Sequence, residues 1–263
     1  MIVVKIGGGR GTDYDEILRD IAGQKDVVLV HGGNYETSLF SERLGKPPRM
    51  VTSVSGHESR YTDRETLEIF EMVYCGKINK MIVEKLQKLG VNAIGLSGVD
   101  GRLFEGKRKE SVKIIENGKR KILHGDYTGR AEKVNANLLK LLMENGYTPV
   151  LTPPAISYES EAINVDGDRL AALVAGSLNA DVLIILSNIP RLLRDVNDES
   201  SIIRKIDKGG MQACAEYAKG RMKRKLLGAE EALAGGARKV ILADGRVKNP
   251  VTYALAGNGT VIA

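Results

Sequence analysis

Short apolar runs rich in β-branched residues alternate with segments of helical periodicity along the whole chain. Such alternation is typical of α/β proteins, in which a mainly parallel sheet carries helices on both faces. The runs predict six strands, at residues 2–6, 27–30, 92–96, 148–151, 182–186 and 240–243. We therefore predict a three-layer αβα sandwich. Ligands of such sheets bind beyond the carboxyl ends of the strands, so we expect the functional site at that edge.

Helix signals lie between these runs. Thr62 and Glu65 form a T-x-x-E capping box, which predicts a helix start, and Gly76 is expected to end or bend this helix. Another helix is predicted to end at Gly146, a typical C-cap residue. Two further helices are predicted at residues 169–178 and 222–234.

One stretch departs from the alternation. Residues 112–116 and 119–123 flank Asn117-Gly118, a pair that favours a type I′ turn, so we predict a protruding antiparallel β-hairpin. The hairpin and its flanks are rich in cations: Lys107, Arg108, Lys109, Lys113, Lys119, Arg120 and Lys121. This pattern fits either a solvated hairpin or a docking surface for an acidic partner.

Composition narrows the class of protein. Of the 263 residues, 43% are hydrophobic and 27% are charged, which is typical of a folded globular protein and excludes a disordered or fibrous one. No apolar run reaches the length of a membrane span, and no basic and apolar leader precedes the first strand, so we expect a cytoplasmic protein without a membrane partner. Cys75 and Cys214 are too few for a disulfide scaffold and are expected to be buried, and the three histidines show no metal-ligand spacing.

The net charge is +6 and the sequence pI is about 9.2, which favours an acidic partner. Nucleic acid is disfavoured, because only 5% of the residues are aromatic, Trp is absent and no nucleic-acid-binding signature is present. An acidic protein and a phosphorylated small molecule both remain compatible with the charge.

Lys5 lies near the end of the first predicted strand, directly before Gly7-Gly8-Gly9. An ammonium group on a strand that is covered on both faces loses solvation, which a bound anion restores. Glycines let backbone N–H groups approach the same anion closely. Alone, the pattern fits equally well a lysine beside an ordinary turn. Similar loops follow later strands, at residues 31–33 and 95–98, but neither a Rossmann nor a Walker A fingerprint is present.

Two charged segments begin predicted helices. Asn164, Asp166 and Asp168 precede residues 169–178, where one carboxylate is expected to cap the helix and the other to orient cations or hold a phosphate-bound metal. Lys225 lies in a cationic run, residues 220–225, that is unfavourable beside the positive end of a helix dipole. We therefore expect a negative group to compensate this run.

In order and spacing these motifs resemble the amino acid kinase superfamily, most closely its acetylglutamate kinase branch, over essentially the whole chain. The resemblance is carried by Lys5 with Gly7-Gly8 and by residues 31–33, 60–63, 164–168 and 222–225. Residues 60–80, 95–104 and 125–129 are similar to kinases that act on aminoadipate or glutamate tethered to the acidic amino-group carrier protein LysW. The resemblance implies the amino acid kinase fold, a homodimer, and one domain, 1–263, with an acyl-substrate lobe of about residues 1–165 and an ATP lobe of about residues 166–263.

The resemblance further implies ATP-dependent phosphorylation of a side-chain carboxylate, giving an acyl phosphate in lysine or arginine biosynthesis. A carboxylate is already ionised at neutral pH and needs no general base. The enzyme must then position the reactants and neutralise charge. By the resemblance, Lys5 and Lys225 stabilise the transferring phosphoryl group, and Asp168 orients both lysines.

Other implied site residues bind the ATP phosphates (Gly7, Gly8 and Ser187) or the acyl substrate (Gly32, Gly33, Arg60 and Asn164). Arg60 would bind a substrate carboxylate as a planar fork, and the backbone of Gly8, Gly32 and Gly33 would bind oxygens. Mg²⁺ is implied to bind through ATP phosphates and water, without ligands from the protein.

Some positions depart from the acetylglutamate kinase pattern. Asn34 stands where a third glycine is common after His31, and Asn188 and Arg191 stand where aspartate and glycine are common. Two alternatives therefore stay open: an acetylglutamate kinase that uses a free substrate, and a nucleotide- or amino-acid-sensing module without turnover. The joint presence of Lys5, Asp168 and Lys225 favours an enzyme.

Overall fold

The computed structural model describes residues 1–54, 56, 58–116, 118–188, 192–195, 198, 201–214, 216–217 and 221–263. The strands are β1 Ile2–Ile6, β2 Val27–His31, β3 Met50–Ser53, β4 Glu58–Arg60, β5 Ala93–Ser97, β6 Phe104–Arg108, β7 Ser111–Glu116, β8 Lys119–His124, β9 Gly129–Val134, β10 Thr148–Thr152, β11 Ala155–Ser157, β12 Ala162–Ile163, β13 Val182–Ser187, β14 Lys205–Ile206, β15 Val240–Asp244 and β16 Thr260–Ile262. The α-helices are α1 Tyr14–Ala22, α2 Asn34–Arg43, α3 Arg64–Glu71, α4 Asn79–Lys88, α5 Ala136–Glu144, α6 Gly167–Ser177, α7 Met211–Cys214, α8 Arg221–Ala234 and α9 Pro250–Leu255.

The main sheet has eight strands in the order β14-β16-β15-β13-β1-β2-β10-β5. Its central pairs are all parallel, and β16 joins β15 in antiparallel orientation. All six predicted strands belong to this sheet, each within one residue of the predicted bounds. β1 lies at the centre, so the carboxyl end of β1 adjoins those of β2 and β13.

Apolar side chains cover both faces of the main sheet. Val3 belongs to a core that includes side chains of α6 and α8, whereas Val4 and Ile6 belong to a second core with side chains of α1 and α4. Successive side chains of a strand point to opposite faces, so Lys5 shares the α6 and α8 side with Val3. The predicted three-layer αβα sandwich is confirmed.

Two smaller sheets depart from the simple alternation more than the sequence predicted. One has the order β12-β11-β6-β9, and the other has the order β4-β3-β7-β8. The predicted hairpin is present as β7 and β8, paired in antiparallel register, with Gly118 at φ +72°. Asn117 lies outside the described residues. The hairpin is not isolated, since β7 also pairs with β3.

The capping-box prediction was wrong by one residue. Asp63 is the N-cap of α3 and accepts a hydrogen bond from the backbone N–H of Thr66, while the Thr62 hydroxyl donates to the carbonyl of Arg60. The helix neither ends nor bends at Gly76 alone; a π-helix, Met72–Ile78, joins α3 to α4 in one helical run. The Asp63 carboxylate and the Thr62 hydroxyl are both suitable N-cap acceptors, so the sequence did not show which of these neighbours caps α3.

The other helix predictions agree with the structure within a few residues, and Gly146 follows α5 with φ +79°. Cys75 and Cys214 are half-buried rather than buried, and both are free thiols. None of the helices in the described ranges has the length and hydropathy needed to cross a membrane.

Candidate active site

Lys5, Asp168 and Lys225 come together beside the carboxyl end of β1. Lys5 Nζ lies 2.5 Å from Asp168 Oδ1, and Lys225 Nζ lies 3.3 Å from Asp168 Oδ2. All three side chains are largely removed from solvent; 13% of the Asp168 side chain is exposed. One carboxylate therefore lies between two ammonium groups that are 220 residues apart in sequence and balances one of their two positive charges.

Three elements bring these side chains together. Lys5 points from β1 toward the helical layer of α6 and α8, as the pleat requires. Asp168 lies in the first turn of α6, where a carboxylate is favoured by the helix dipole. Lys225 lies in α8, which packs along α6. Asp166 is the N-cap of α6 and accepts hydrogen bonds from the N–H groups of Asp168 and Arg169.

The electrostatics of the three groups are coupled. Burial opposes ionisation of Asp168, but the charge of Lys5 and then that of Lys225 lower its pKa well below the ordinary value. For Lys225 burial is the largest effect and lowers the pKa, partly offset by Asp168 and reinforced by repulsion from Lys5. A polyanion bound here would relieve that repulsion, because it would add negative charge between the two ammonium groups.

The negative group expected beside the cationic start of α8 is present. Asp168 pairs with Lys225, and Asp166 Oδ2 lies 3.8 Å from Arg224 Nη1. Arg224 Nη2 also donates to the carbonyl of Glu58 at 2.5 Å. Arg224 thus links α8 to β4, the strand that ends at Arg60.

Two glycine loops meet at the ends of β1 and β2. A Cβ atom on Gly8 would lie 2.1 Å from the backbone nitrogen of Gly33, and one on Gly32 would lie 3.0 Å from that of Gly8. Only glycine fits this approach at position 8. The N–H of Gly32 already donates to the carbonyl of Ile6, whereas no backbone carbonyl of the described residues accepts from Gly8.

The first loop also contacts the end of β13. The N–H of Gly7 donates to the carbonyl of Leu186 at 3.1 Å, and a Cβ on Gly7 would lie 3.8 Å from the Cα of Ser187. The hydroxyl of Thr12 donates to the carbonyls of Gly7 and Gly9, both at 3.0 Å, and so restrains the loop. No sequence pattern identified Thr12, because its hydrogen-bond partners are main-chain atoms.

Arg60 is buried beside the second loop. Its Nη2 donates to Asn34 Oδ1 and to the Ser38 hydroxyl, both at 2.8 Å, while its buried Nε has no hydrogen-bond partner among the described residues. Burial lowers the pKa of its guanidinium. The Nη2 side of the guanidinium is thus bound to α2, while Nε is without an acceptor among the described residues.

Asn164 joins the same region. Its Nδ2 lies 3.2 Å from the hydroxyl of Thr62, which in turn donates to the carbonyl of Arg60. Its backbone N–H donates to the carbonyl of Tyr127, whose own N–H donates to the carbonyl of Thr62. This hydrogen-bonded set connects the end of β4, the segment 125–129 and the start of α6.

Sequence reasoning missed Ser38 as a partner of Arg60 and treated Asn34 only as a departure from a pattern. A serine at a half-buried helix position gives no signal by itself. Asn188, the other described departure, donates from Nδ2 to the carbonyl of Arg10 at 2.5 Å. Pro190 and Arg191 lie outside the described residues.

The family model of the amino acid kinase family matches residues 1–244. The [LysW]-aminoadipate kinase of Deinococcus radiodurans is 58% identical over the whole chain and 91% of its own length. The protein of the same name from Thermus thermophilus is 56% identical over both complete chains. The [LysW]-aminoadipate/[LysW]-glutamate kinase of Saccharolobus solfataricus is 39% identical over the whole chain and 99% of its own length.

Solved structures show the same fold. N-acetylglutamate synthase from Neisseria gonorrhoeae superposes with a TM-score of 0.79 at 22% identity, over the whole chain and 59% of that protein. Carbamate kinase from Giardia lamblia, bound to AMP-PNP, gives a TM-score of 0.67 at 17% identity, over 99% of this chain and 97% of that one. With the family model and the relatives, this likeness confirms the predicted fold class: the chain belongs to the amino acid kinase family.

Proposed function

We propose that the protein transfers the γ-phosphoryl group of ATP to the side-chain carboxylate of aminoadipate, or of glutamate, attached to a LysW-type carrier protein. The product is an acyl phosphate for lysine biosynthesis, and for arginine biosynthesis where glutamate is the substrate. The observation that carries this proposal is the Lys5–Asp168–Lys225 arrangement at the glycine loops. The names of the relatives that cover the whole chain support the choice of substrate.

The chemistry needs charge neutralisation more than proton transfer. A carboxylate oxygen attacks the γ-phosphorus, a new P–O bond forms, and the bond to the bridging oxygen breaks with its electrons leaving on ADP. Lys5 and Lys225 stabilise the negative charge on the transferring group from two sides. Asp168 keeps the two ammonium groups apart and oriented.

The loop after β1 is the proposed phosphate site. Gly8 supplies a backbone N–H that is not used by another backbone group of the described residues, and Gly7 and Ser187 line the approach from β13. Mg²⁺ would bind through ATP phosphates and water, where it would neutralise phosphate charge. Among the described residues, no group of three or more His, Cys, Asp or Glu side chains is placed to hold a metal ion.

Arg60 and Asn164 are proposed to bind the acyl substrate, with Gly32 and Gly33 forming the wall between it and ATP. The buried Nε of Arg60, which lacks a partner among the described residues, suits one carboxylate oxygen. This assigns the part of the chain before about residue 165 to the acyl substrate and the rest to ATP. One main sheet includes strands of both parts, consistent with a single domain.

The basic hairpin is the proposed contact for the acidic carrier. β8 is an edge strand, and Lys119, Arg120 and Lys121 on it are exposed. Opposite charge on the two proteins would speed their encounter. A homodimer, a cytoplasmic location and the absence of nucleic-acid and membrane partners belong to the same proposal and rest on the family resemblance and the composition.

A side-by-side assay of ADP release tests the function. Purified protein is given ATP and Mg²⁺ with carrier-linked aminoadipate, carrier-linked glutamate, N-acetylglutamate or no acceptor. We expect turnover only with a carrier-linked substrate. Activity with N-acetylglutamate alone would favour the acetylglutamate kinase alternative, and nucleotide binding without turnover on any acceptor would favour a sensing module.

A further inference from the structure

A buried polar pair lies directly behind the second glycine loop and belongs to none of the groups assigned above. His31, the last residue of β2, is 0% exposed, and Asn79, the first residue of α4, is 1% exposed. The ring Nε2 of His31 lies 3.2 Å from Asn79 Nδ2, and its Nδ1 lies 3.1 Å from the carbonyl oxygen of Gly32. Buried polar atoms of this kind are costly unless they are paired, so the pairing is informative.

The partners of Asn79 determine the orientation of its amide. Nδ2 lies 3.0 Å from the carbonyl of Val150, which can only accept, and Oδ1 lies 3.3 Å from Nζ of Lys80, which can only donate. A Cβ on Gly95 would lie 1.9 Å from Oδ1, so only a glycine at position 95 of β5 leaves room for the Asn79 amide. The amide nitrogen therefore faces His31.

The tautomer of His31 follows from this orientation. Because Asn79 Nδ2 donates, the ring Nε2 must be the acceptor, and the proton must lie on Nδ1, from which it is donated to the carbonyl of Gly32. Burial lowers the pKa of His31 to about 4; the hydrogen bond to Gly32 opposes this shift, and the charges of Lys5 and Lys80 add to it. The ring is thus neutral at pH 7, with one donor and one acceptor, both used.

The glycine loop needs such a restraint. Its close approach to Gly8 requires glycine, yet glycine is the residue whose backbone is least restricted by its own side chain. The peptide unit is planar, so fixing the Gly32 carbonyl also fixes the plane that contains the N–H of Gly33. His31 Nδ1–H supplies a fixed point that the loop cannot supply for itself.

The effect extends to the first loop. Gly33 is the N-cap of α2, and the backbone N–H of Tyr35 in the first turn of that helix donates to the carbonyl of Gly8 at 2.9 Å. The placement of Gly32 and Gly33 therefore sets the position of Gly8. We propose that His31, held in its Nδ1–H tautomer by Asn79, is a positioning residue that aligns the two glycine loops for phosphoryl transfer. This inference rests on the proposed function.

Two variants separate the two ring nitrogens. In His31→Asn the side-chain NH₂ takes the place of Nδ1 and keeps the donor to Gly32, whereas His31→Gln reaches Asn79 and loses that donor. We expect a fall in kcat of less than about tenfold for His31→Asn and of about a hundredfold for His31→Gln, with KM for ATP nearly unchanged. Losses that follow only the thermal stability of the two variants, or a more active His31→Gln, would overturn the proposal.

The tautomer itself is measurable without any assay of activity. The chain has three histidines, so ¹⁵N NMR of histidine-labelled protein, assigned with single replacements of His57 and His124, resolves each ring. We expect neutral His31 with its proton on Nδ1 at pH 7. A proton on Nε2, or on both nitrogens, would overturn the inference even if the kinase activity is found. Conversely, the wrong substrate in the ADP-release assay would leave this result intact.

Discussion

At the scale of single residues, the geometry of the site depends most on Asp168, because its two oxygens face both lysines. Removal of either lysine leaves Asp168 with the other as a partner. Removal of the carboxylate leaves two buried ammonium groups facing each other, which is the costlier change. The sequence identified all three residues through the family resemblance, but their contact is between positions too distant for any local pattern to show. Partners such as Ser38 and Thr12 could not be predicted, since they act through tertiary contacts.

The low pKa of Asp168 gives a testable dependence of stability on pH. A depressed folded-state pKa contributes stability that is present above the unfolded pKa, about 3.9, and is lost as the pH falls through the folded value. We predict that Asp168→Asn lowers the free energy of unfolding by a constant amount between about pH 7 and 5, and by less below about pH 4. Urea denaturation at these pH values measures the difference. The same difference at all pH values would argue against the ion-pair geometry.

At the scale of elements, the central strands were predictable because a parallel strand that is buried on both faces reads as a continuous apolar run. β9 and β4 were not predictable, since their sequences, GRAEKV and ESR, are mostly polar. These two strands form only through pairing with other segments of the chain. The sequence predicted an end or a bend at Gly76 in the helical run from α3 to α4, because glycine usually interrupts helices. Packing of the π-helix against Gly33 instead favours continuity: a Cβ on Gly33 would lie 2.3 Å from Ile78.

A pair of glycine substitutions tests the close packing of the two glycine loops and the continuity of the helical run at Gly76. Gly8→Ala would place a Cβ 2.1 Å from the backbone nitrogen of Gly33, so the two loops must separate and kcat should fall by about a hundredfold or more. Gly76→Ala meets no heavy atom within 4 Å and should leave activity unchanged, with the free energy of unfolding raised by about 0.4–1 kcal/mol. Steady-state kinetics and urea denaturation check both. Equal tolerance of the two changes would contradict the packed-loop geometry.

At the scale of the whole molecule, the net charge of +6 is concentrated in part on the small sheet that contains the hairpin. The sequence predicted the hairpin but not its sheet, because pairing of β7 with β3 joins segments about sixty residues apart. The sequence also could not distinguish a solvated hairpin from a docking surface. Exposure of β8 fits both.

Charge reversal separates these two interpretations. We predict that Lys119→Glu with Arg120→Glu raises KM for the carrier-linked substrate by about tenfold at low salt, and by less at high salt, while KM for ATP stays constant. Lys88→Glu on α4 combined with Lys140→Glu on α5 is the matched control, since it also reverses two charges at exposed positions but lies outside the hairpin. A similar rise in KM for the control, or no rise for the hairpin variant, would show that the hairpin is solvated and is not the docking surface for the carrier.

The proposed function requires Lys5 and Lys225, which both pair with Asp168, to stabilise the phosphoryl group during its transfer to a carrier-linked carboxylate. Hydroxylamine traps acyl phosphates as hydroxamates, so intact-mass spectrometry of the carrier after reaction with ATP and Mg²⁺ reports the product directly. We predict carrier hydroxamate with the unaltered protein and with Lys223→Ala, an exposed neighbour on α8, and a rate lower by about a hundredfold or more for Lys5→Ala and Lys225→Ala in folded protein. Undiminished hydroxamate formation by either of these two variants would contradict the proposed roles of Lys5 and Lys225 in phosphoryl transfer.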